Sequence, residues 1–243
     1  QRGRETSNWS RQVGLHPTTT STFHAMAAKS INVYPLLGLK PSSKRLESAL
    51  IALAGVDALP EPEVKAFSDS VYLNLHPLGV SLVFHPRDGY KPKRGSTREE
   101  LQDDDLALAS VDIYNHEAAL DALTSKTQAT PRAPSSAKPS FAAFPAYPLA
   151  IAYPSTSSPS ELKTLLVDPA TKGKDFVLAL GEPDRKGGGE GSIGIWTEWT
   201  ALGVMVEFAS GGLQAWDKGG GAVWRTLTIF ERGVSAGKED DEE

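Results

Sequence analysis

Two stretches of this chain align with each other without a gap. Residues 70–84 read Ser-Val-Tyr-Leu-Asn-Leu-His-Pro-Leu-Gly-Val-Ser-Leu-Val-Phe, and residues 194–208 read Gly-Ile-Trp-Thr-Glu-Trp-Thr-Ala-Leu-Gly-Val-Met-Val-Glu-Phe. Leu78-Gly79-Val80 repeats as Leu202-Gly203-Val204, and Phe84 repeats as Phe208. Tyr72 matches Trp196, and Leu82 matches Val206. In each stretch apolar positions alternate on both sides of a short turn, which predicts a hairpin of two half-buried strands. Pro77 falls at the first turn, where its missing N–H costs no ladder bond. Gly79 and Gly203 follow the turns, where a glycine relieves a bulge or a close approach of backbone.

The flanks repeat as well. Leu46, Leu50 and Leu53 follow Pro41-Ser42-Ser43 and precede Gly55, which predicts a helix with one apolar face. Phe176, Val177 and Leu180 do the same between Asp168-Pro169 and Gly181. After each hairpin, Val111-Asp-Ile113-Tyr114 and Leu227-Thr-Ile229-Phe230 read as a third strand of period two. The expected fold class is therefore α+β: two tandem helix-strand-strand-strand units forming antiparallel sheet, with helices on one face. One continuous sheet is favoured, because a short helix covers only part of a three-stranded sheet. Its other face is then open, and is a candidate binding surface. Ser158-Pro159-Ser160-Glu161 before Leu162, Leu165 and Leu166 reads as a capped helix start. Asn115 reads as the cap of a turn reaching Leu123.

Residues Tyr72-x-Asn74-x-x-x-Leu78-Gly79-Val80-x-Leu82-x-Phe84 resemble the strand pair of the phagosome assembly factor family. Leu178-Ala-Leu180-Gly181-Glu-Pro183-Asp-Arg185 resembles that family's helix end and following loop. More loosely, a helix leading into Leu-Gly-x-Pro and an aromatic strand is similar to the BamE/SmpA lipoproteins and to the tandem units of β-lactamase inhibitor protein. The likeness covers residues 36–115 and 162–232. It implies a non-enzymatic role at autophagic membranes beside a propeller-containing partner. It transfers no functional residue, since the matched positions are of core type.

The division of the chain follows from composition. Residues 1–30 are a polar basic arm, and 31–123 hold the first unit. Residues 124–160 are a Pro/Ser/Ala-rich connection, read as irregular. Residues 161–232 hold the second unit, and 233–243 are an acidic tail. Within the connection, residues 141–153 are too aromatic for a solvated linker and are expected to dock on a surface, in the first instance that of their own chain. Seven Lys/Arg against one acid in residues 1–45 read as a solvated face; the sharper alternative is an arm for an anionic surface. They form no cluster, so nucleic acid is not an expected partner. The 243 residues contain no Cys, which excludes a disulfide framework, Cys-ligated zinc, an iron–sulfur cluster and a thiol nucleophile. Gln1 suggests a trimmed start, and no apolar targeting core or membrane span follows. The expected compartment is cytoplasmic or nuclear rather than secreted.

Reactive constellations are sparse. His16, His24, His76, His85 and His116 form no metal-binding spacing, although His85, Asp88 and His116 could converge through the fold. No cofactor motif, metal site or catalytic residue is expected. The glycines of residues 181–192 lead into a strand, unlike a phosphate loop, which opens a helix. Gly233-Val-Ser235-Ala-Gly237 matches a nucleophile elbow by letter, yet no helix and no His follow it. The candidate binding residues are Trp199, Trp216, Glu198, Asp217 and Lys218, read as an exposed aromatic and charged patch, with Arg185 and Lys186 in the adjoining Gly-rich loop. Glu198 and Glu207 would serve acid–base work only if they faced one cleft. The leading expectation is a non-enzymatic interaction module with a protein or membrane-associated partner. The alternative is a small-molecule binding protein or enzyme with a pocket between the units.

Overall fold

The computed structural model describes residues 30–116, 140–154, 161–188, 194–209 and 219–234. They form a mixed α+β fold dominated by antiparallel sheet. The strands are β1 (Ser30–Ile31), β2 (Glu63–Ala66), β3 (Val71–Leu75), β4 (Val80–Pro86), β5 (Leu106–Tyr114), β6 (Leu149–Pro154), β7 (Leu162–Val167), β8 (Arg185–Gly187), β9 (Trp196–Trp199), β10 (Val204–Phe208) and β11 (Trp224–Phe230). The helices are α1 (Lys44–Ala54) and α2 (Gly173–Leu180). Eight strands make one sheet in the order β2-β3-β4-β5-β11-β10-β9-β8, antiparallel throughout. A smaller sheet has the order β1-β6-β7.

The local chemistry of α1 matches its sequence signals. Ser43 accepts a hydrogen bond from the Leu46 N–H, and Gly55 ends the helix in the left-handed region. Leu46, Leu50 and Ala54 are buried on one face. Phe176 and Leu180 are the buried stripe of α2. Both stripes join one core with Val71, Leu73, Leu82, Val111, Val204, Leu227 and Ile229, which alternate along the inner face of the large sheet. Phe144, Leu149, Ile151 and Val167 enter the same core, so the aromatic stretch of the connection docks on its own chain. Trp224 is fully buried there, and its indole N–H donates to the Asp168 carbonyl at 2.8 Å.

Several expectations need correction. Each half of the large sheet has four strands, not three: β2 and β8 are added at the two edges. Both are short and charged, a composition that gives little periodicity to read and suits an edge that must not recruit another chain. The helix expected after Glu161 is strand β7. Its partner β6 is an apolar strand whose backbone groups need a ladder, and that demand overrides the leucine spacing. β6 itself interrupts a connection read as irregular. The turn that Asn115 is expected to cap begins with helical His116, and the rest of it lies outside the described residues. The buried Asn115 amide donates to the carbonyls of Pro169 and Trp224, 2.9 Å each, tying the end of β5 to the segment before α2. Residues 1–29, Leu123, 155–160 and 235–243 lie outside the described residues. Among the described residues, no helix is long and apolar enough to cross a membrane.

Gly79 and Gly203 have the same task. Each closes a 3-10 turn in the left-handed region, at φ +59° and +66°. A Cβ on Gly79 would lie 2.3 Å from the Ala142 carbonyl oxygen, and one on Gly203 would lie 2.3 Å from that of Phe230. Gly89 also has positive φ, yet a Cβ there meets nothing within 4 Å. Gly89→Ala is therefore expected to cost about 1 kcal/mol of backbone strain. Gly79→Ala and Gly203→Ala add a collision with fixed backbone and are expected to cost at least about 2–3 kcal/mol. Urea unfolding of the three variants checks the ranking.

Candidate functional site

The outer face of the large sheet carries a different chemistry from the inner one. Strand register places Glu63, Asn74, Ser81, Asp112, Thr228, Met205, Glu198 and Arg185 in one transverse row across all eight strands. Polar groups link much of this row. Asn74 donates to Glu63 at 3.2 Å, Ser81 donates to Asn74 at 2.8 Å, and Thr228 donates to Asp112 at 2.8 Å. Glu63 also meets the His76 imidazole at 2.7 Å and Lys65 at 3.1 Å; chiefly the His76 bond pulls its pKa down to about 2.

At the middle of this face lies a cleft of about 1020 Å³, centred on the junction of β5 and β11. Its floor is low because the residues there are small: Ser110, Thr226 and Thr228. Around them stand Tyr72, Val83, Tyr114, Met205 and Phe230, which raise the walls. At one end, Arg232 lies over the Tyr34 ring, 4.1 Å from its centroid, and Tyr34 donates to the Leu202 carbonyl. Arg87 reaches the Gly38 carbonyl at 3.3 Å at the same end. At the other end, Arg225 lies 3.6 Å from Glu207, and Thr226 donates to Glu207 at 3.3 Å. Phe141 stacks on Tyr114 there, with ring centroids 3.9 Å apart.

Asp112 is the charge at the centre of the floor. Its carboxyl accepts the Thr228 hydroxyl and has no ion pair among the described residues. Removal from water pushes its pKa up to about 6; the Thr228 bond opposes the rise and the Glu207 charge adds to it. Burial likewise raises the Tyr114 phenol, and it lowers His85 and His116.

The residues singled out from the sequence are placed otherwise. Trp199 belongs to the core, not to an exposed patch: it is 2% exposed and donates its indole N–H to the Gly181 carbonyl at 2.9 Å. Its position on β9, opposite Val204, is on the inner face. Glu198 is on the outer face but buried at 1% exposure, where it accepts the Thr200 hydroxyl at 2.7 Å and lies 3.8 Å from Arg185. Arg185 and Lys186 stand on β8 rather than in a flexible loop. Glu198 and Glu207 do share a face, across Met205 and Trp196, each beside its own arginine. Trp216, Asp217, Lys218 and Ser235 lie outside the described residues. His85 and His116 sit at opposite ends of β5 and do not converge. Among the described residues no cluster of His, Asp and Glu is arranged to hold a metal.

The sequence reading missed Asp112, Ser110, Thr226, Thr228 and Tyr114 as a group. The available signal was the polar alternate residue in each third strand, Val111-Asp112-Ile113 and Leu227-Thr228-Ile229. Their meeting depends on β5 pairing with β11, which no local pattern specifies. No family model, curated protein or solved structure matches the chain.

The folded pKa of Asp112 lies above the ordinary carboxyl value of 3.8, so ionising it disfavours the folded state. Its contribution is most favourable below pH 3.8 and is lost as pH rises through about 6. Asp112→Asn is therefore expected to be more stable than the native chain by about 2–3 kcal/mol at pH 7.5. That advantage should vanish as pH falls from about 6 towards 4. Paired denaturation curves across this range check the sign, and the Glu63 contribution, common to both proteins, cancels.

Proposed function

We propose that this protein is a non-enzymatic binding module whose ligand lies against the outer face of its eight-stranded sheet. The observation that carries the reading is the cleft at the β5–β11 junction, a concave surface, mainly uncovered by the described residues, with a small-residue floor and aromatic walls. The buried helices and the small sheet serve the opposite face, so they shape the sheet without filling the cleft. The likeness of residues 70–84 to the phagosome assembly factor family supports a role as an adaptor for a protein or membrane-associated partner.

We also read the large sheet as two copies of one unit joined edge to edge. The support is the gapless alignment of residues 70–84 with 194–208, the left-handed glycines that close both turns, and a strand order that runs outward in the same sequence from β5 and from β11. On this reading the cleft lies between the copies.

A second reading has its own observation. Burial raises the Asp112 pKa to about 6 in a cleft that also holds Glu207, a combination suited to acid–base chemistry on a small molecule. The two readings separate on turnover: a module returns its ligand unchanged.

Screening small-molecule fragments by protein-observed NMR tests the placement. Amide shifts are expected to gather on β5 and β11. Ser110→Trp, which fills the floor, should abolish them, whereas Glu47→Gln on the exposed side of α1 should not. Shifts that gather elsewhere, or that survive Ser110→Trp in a folded protein, would remove the cleft from consideration.

A further inference from the structure

The cleft holds a carboxylate that has no counter-ion among the described residues. Asp112 sits on the floor of a sheet face where Thr228 supplies its hydrogen bond. The nearest basic candidates are engaged elsewhere: Arg225 with Glu207, Arg232 over Tyr34 and on the Ala152 carbonyl, Arg87 on the Gly38 carbonyl. Around Asp112 the surface changes from hydroxyl to apolar in one step. Ser110 and Thr226 flank it on the floor, and Val83, Met205 and Phe230 stand above them. A carboxylate at the bottom, hydroxyl oxygens beside it and thioether and ring surfaces above complement a charged nitrogen on an aliphatic stem.

Resting on the binding reading above, we infer that the cleft binds a primary alkylammonium group, with the nitrogen on Asp112 and its stem along Val83, Met205 and Phe230. The chemistry is shared by a lysine side chain presented by a protein and by a free aliphatic amine. An anion is disfavoured, since it would place like charge against Asp112 and Glu207 on the same face. A neutral ligand would leave the Asp112 charge as uncompensated as it is in the free protein. The site also gains a pH dependence. An aliphatic amine stays protonated across the range in which Asp112 titrates, with its pKa at about 6. The other titratable groups facing the cleft are Tyr72 on β3, His85 on β4, Tyr114 on β5 and Glu207 on β10. Arg225 on β11 and the rim groups Tyr34, Arg87, Glu231 and Arg232 complete the set. Of these, the histidine lies at the far end of β4 from Asp112.

The test is an NMR titration of the protein with N-acetyl-lysinamide and with n-butylamine, beside the neutral n-pentanol, in low salt at pH 7.5 and 5.0. Both amines are expected to shift β5 and β11 amides and to bind at least tenfold more tightly than the alcohol. Affinity should fall about tenfold at pH 5.0, where about nine-tenths of Asp112 is protonated given a pKa of about 6. Asp112→Asn, isosteric and able to keep the Thr228 bond, should weaken both amines at least tenfold and leave the alcohol unchanged. A tighter response to the lysine derivative points to a protein ligand, and one to butylamine points to a free amine. No amine binding, equal affinity at the two pH values, or equal binding by Asp112→Asn would overturn the inference. If amines or alcohol then still bind in the cleft and Ser110→Trp removes them, the binding reading survives its loss. If nothing binds the cleft, both fall. The pH comparison uses the native chain, so it decides even if a variant misfolds.

Discussion

Between Tyr114–Thr226 and Ser110–Phe230, β5 and β11 exchange the ladder that makes one sheet out of two four-stranded blocks. Consider the blocks without it. Each would expose a central strand as an edge, and each would have one short helix to cover its inner face. The eight residues of α2 span only about 12 Å, less than the width of four strands spaced about 4.8 Å apart with their side chains. The junction lets the halves share Val111, Ile113, Leu227 and Ile229, all essentially out of water, in a single core. It also makes room for β6, Phe144 and Val167 to pack where neither half could hold them alone. With no disulfide to hold a marginal half together, stability depends on the halves remaining joined.

The same ladder decides what the outer face becomes. In an antiparallel pair, residues opposite one another point to the same side, so the register that buries Val111 against Ile229 must also set Asp112 against Thr228. A slip of one residue would turn the carboxylate into the core and the valine into water. The core and the cleft are therefore specified by one register. The small residues of β5 and β11 on the outer face become a depression because larger ones flank them on β3, β4 and β10. Neither half alone has two walls.

Local structure was legible in the sequence where a pattern was long enough to complete itself. Leu46, Leu50 and the Ser43 and Gly55 signals define α1 nearly to the residue, and the two aligned hairpins become β3–β4 and β9–β10. Short edges failed: three or four charged residues such as Arg185-Lys-Gly187 carry no period, and only the neighbouring strand makes them a strand. β7 failed for the opposite reason, because leucines at helical spacing were outvoted by the unpaired backbone of β6. The site was less legible than the fold. Tryptophan and charge in proximity suggested a patch around Trp199, but an aromatic residue at an inner-face position is core whatever its neighbours in sequence. Asp112 and Thr228 are more than a hundred residues apart, and each looks like the ordinary solvated alternate of a half-buried strand.

Asp112 is what makes the outer face more than a polar side of a sheet. Its row-mates Ser81 and Thr228 show what a purely structural position there requires: a small hydroxyl that satisfies itself on a neighbour, as Ser81 does on Asn74. A carboxylate in the same row is costlier, because the protein removes much of its water and, among the described residues, returns one hydrogen bond and no cation. Glu63 and Glu198 in the same row, and Glu207 beside it, each have a basic partner. The cost falls on a residue that lines the cleft. A bound cation would reverse it, since the desolvation that penalises Asp112 alone strengthens its attraction to a charge placed beside it. The energetics of the free protein and the shape of the cleft thus support the same inferred occupant, a positively charged group narrow enough to reach the floor.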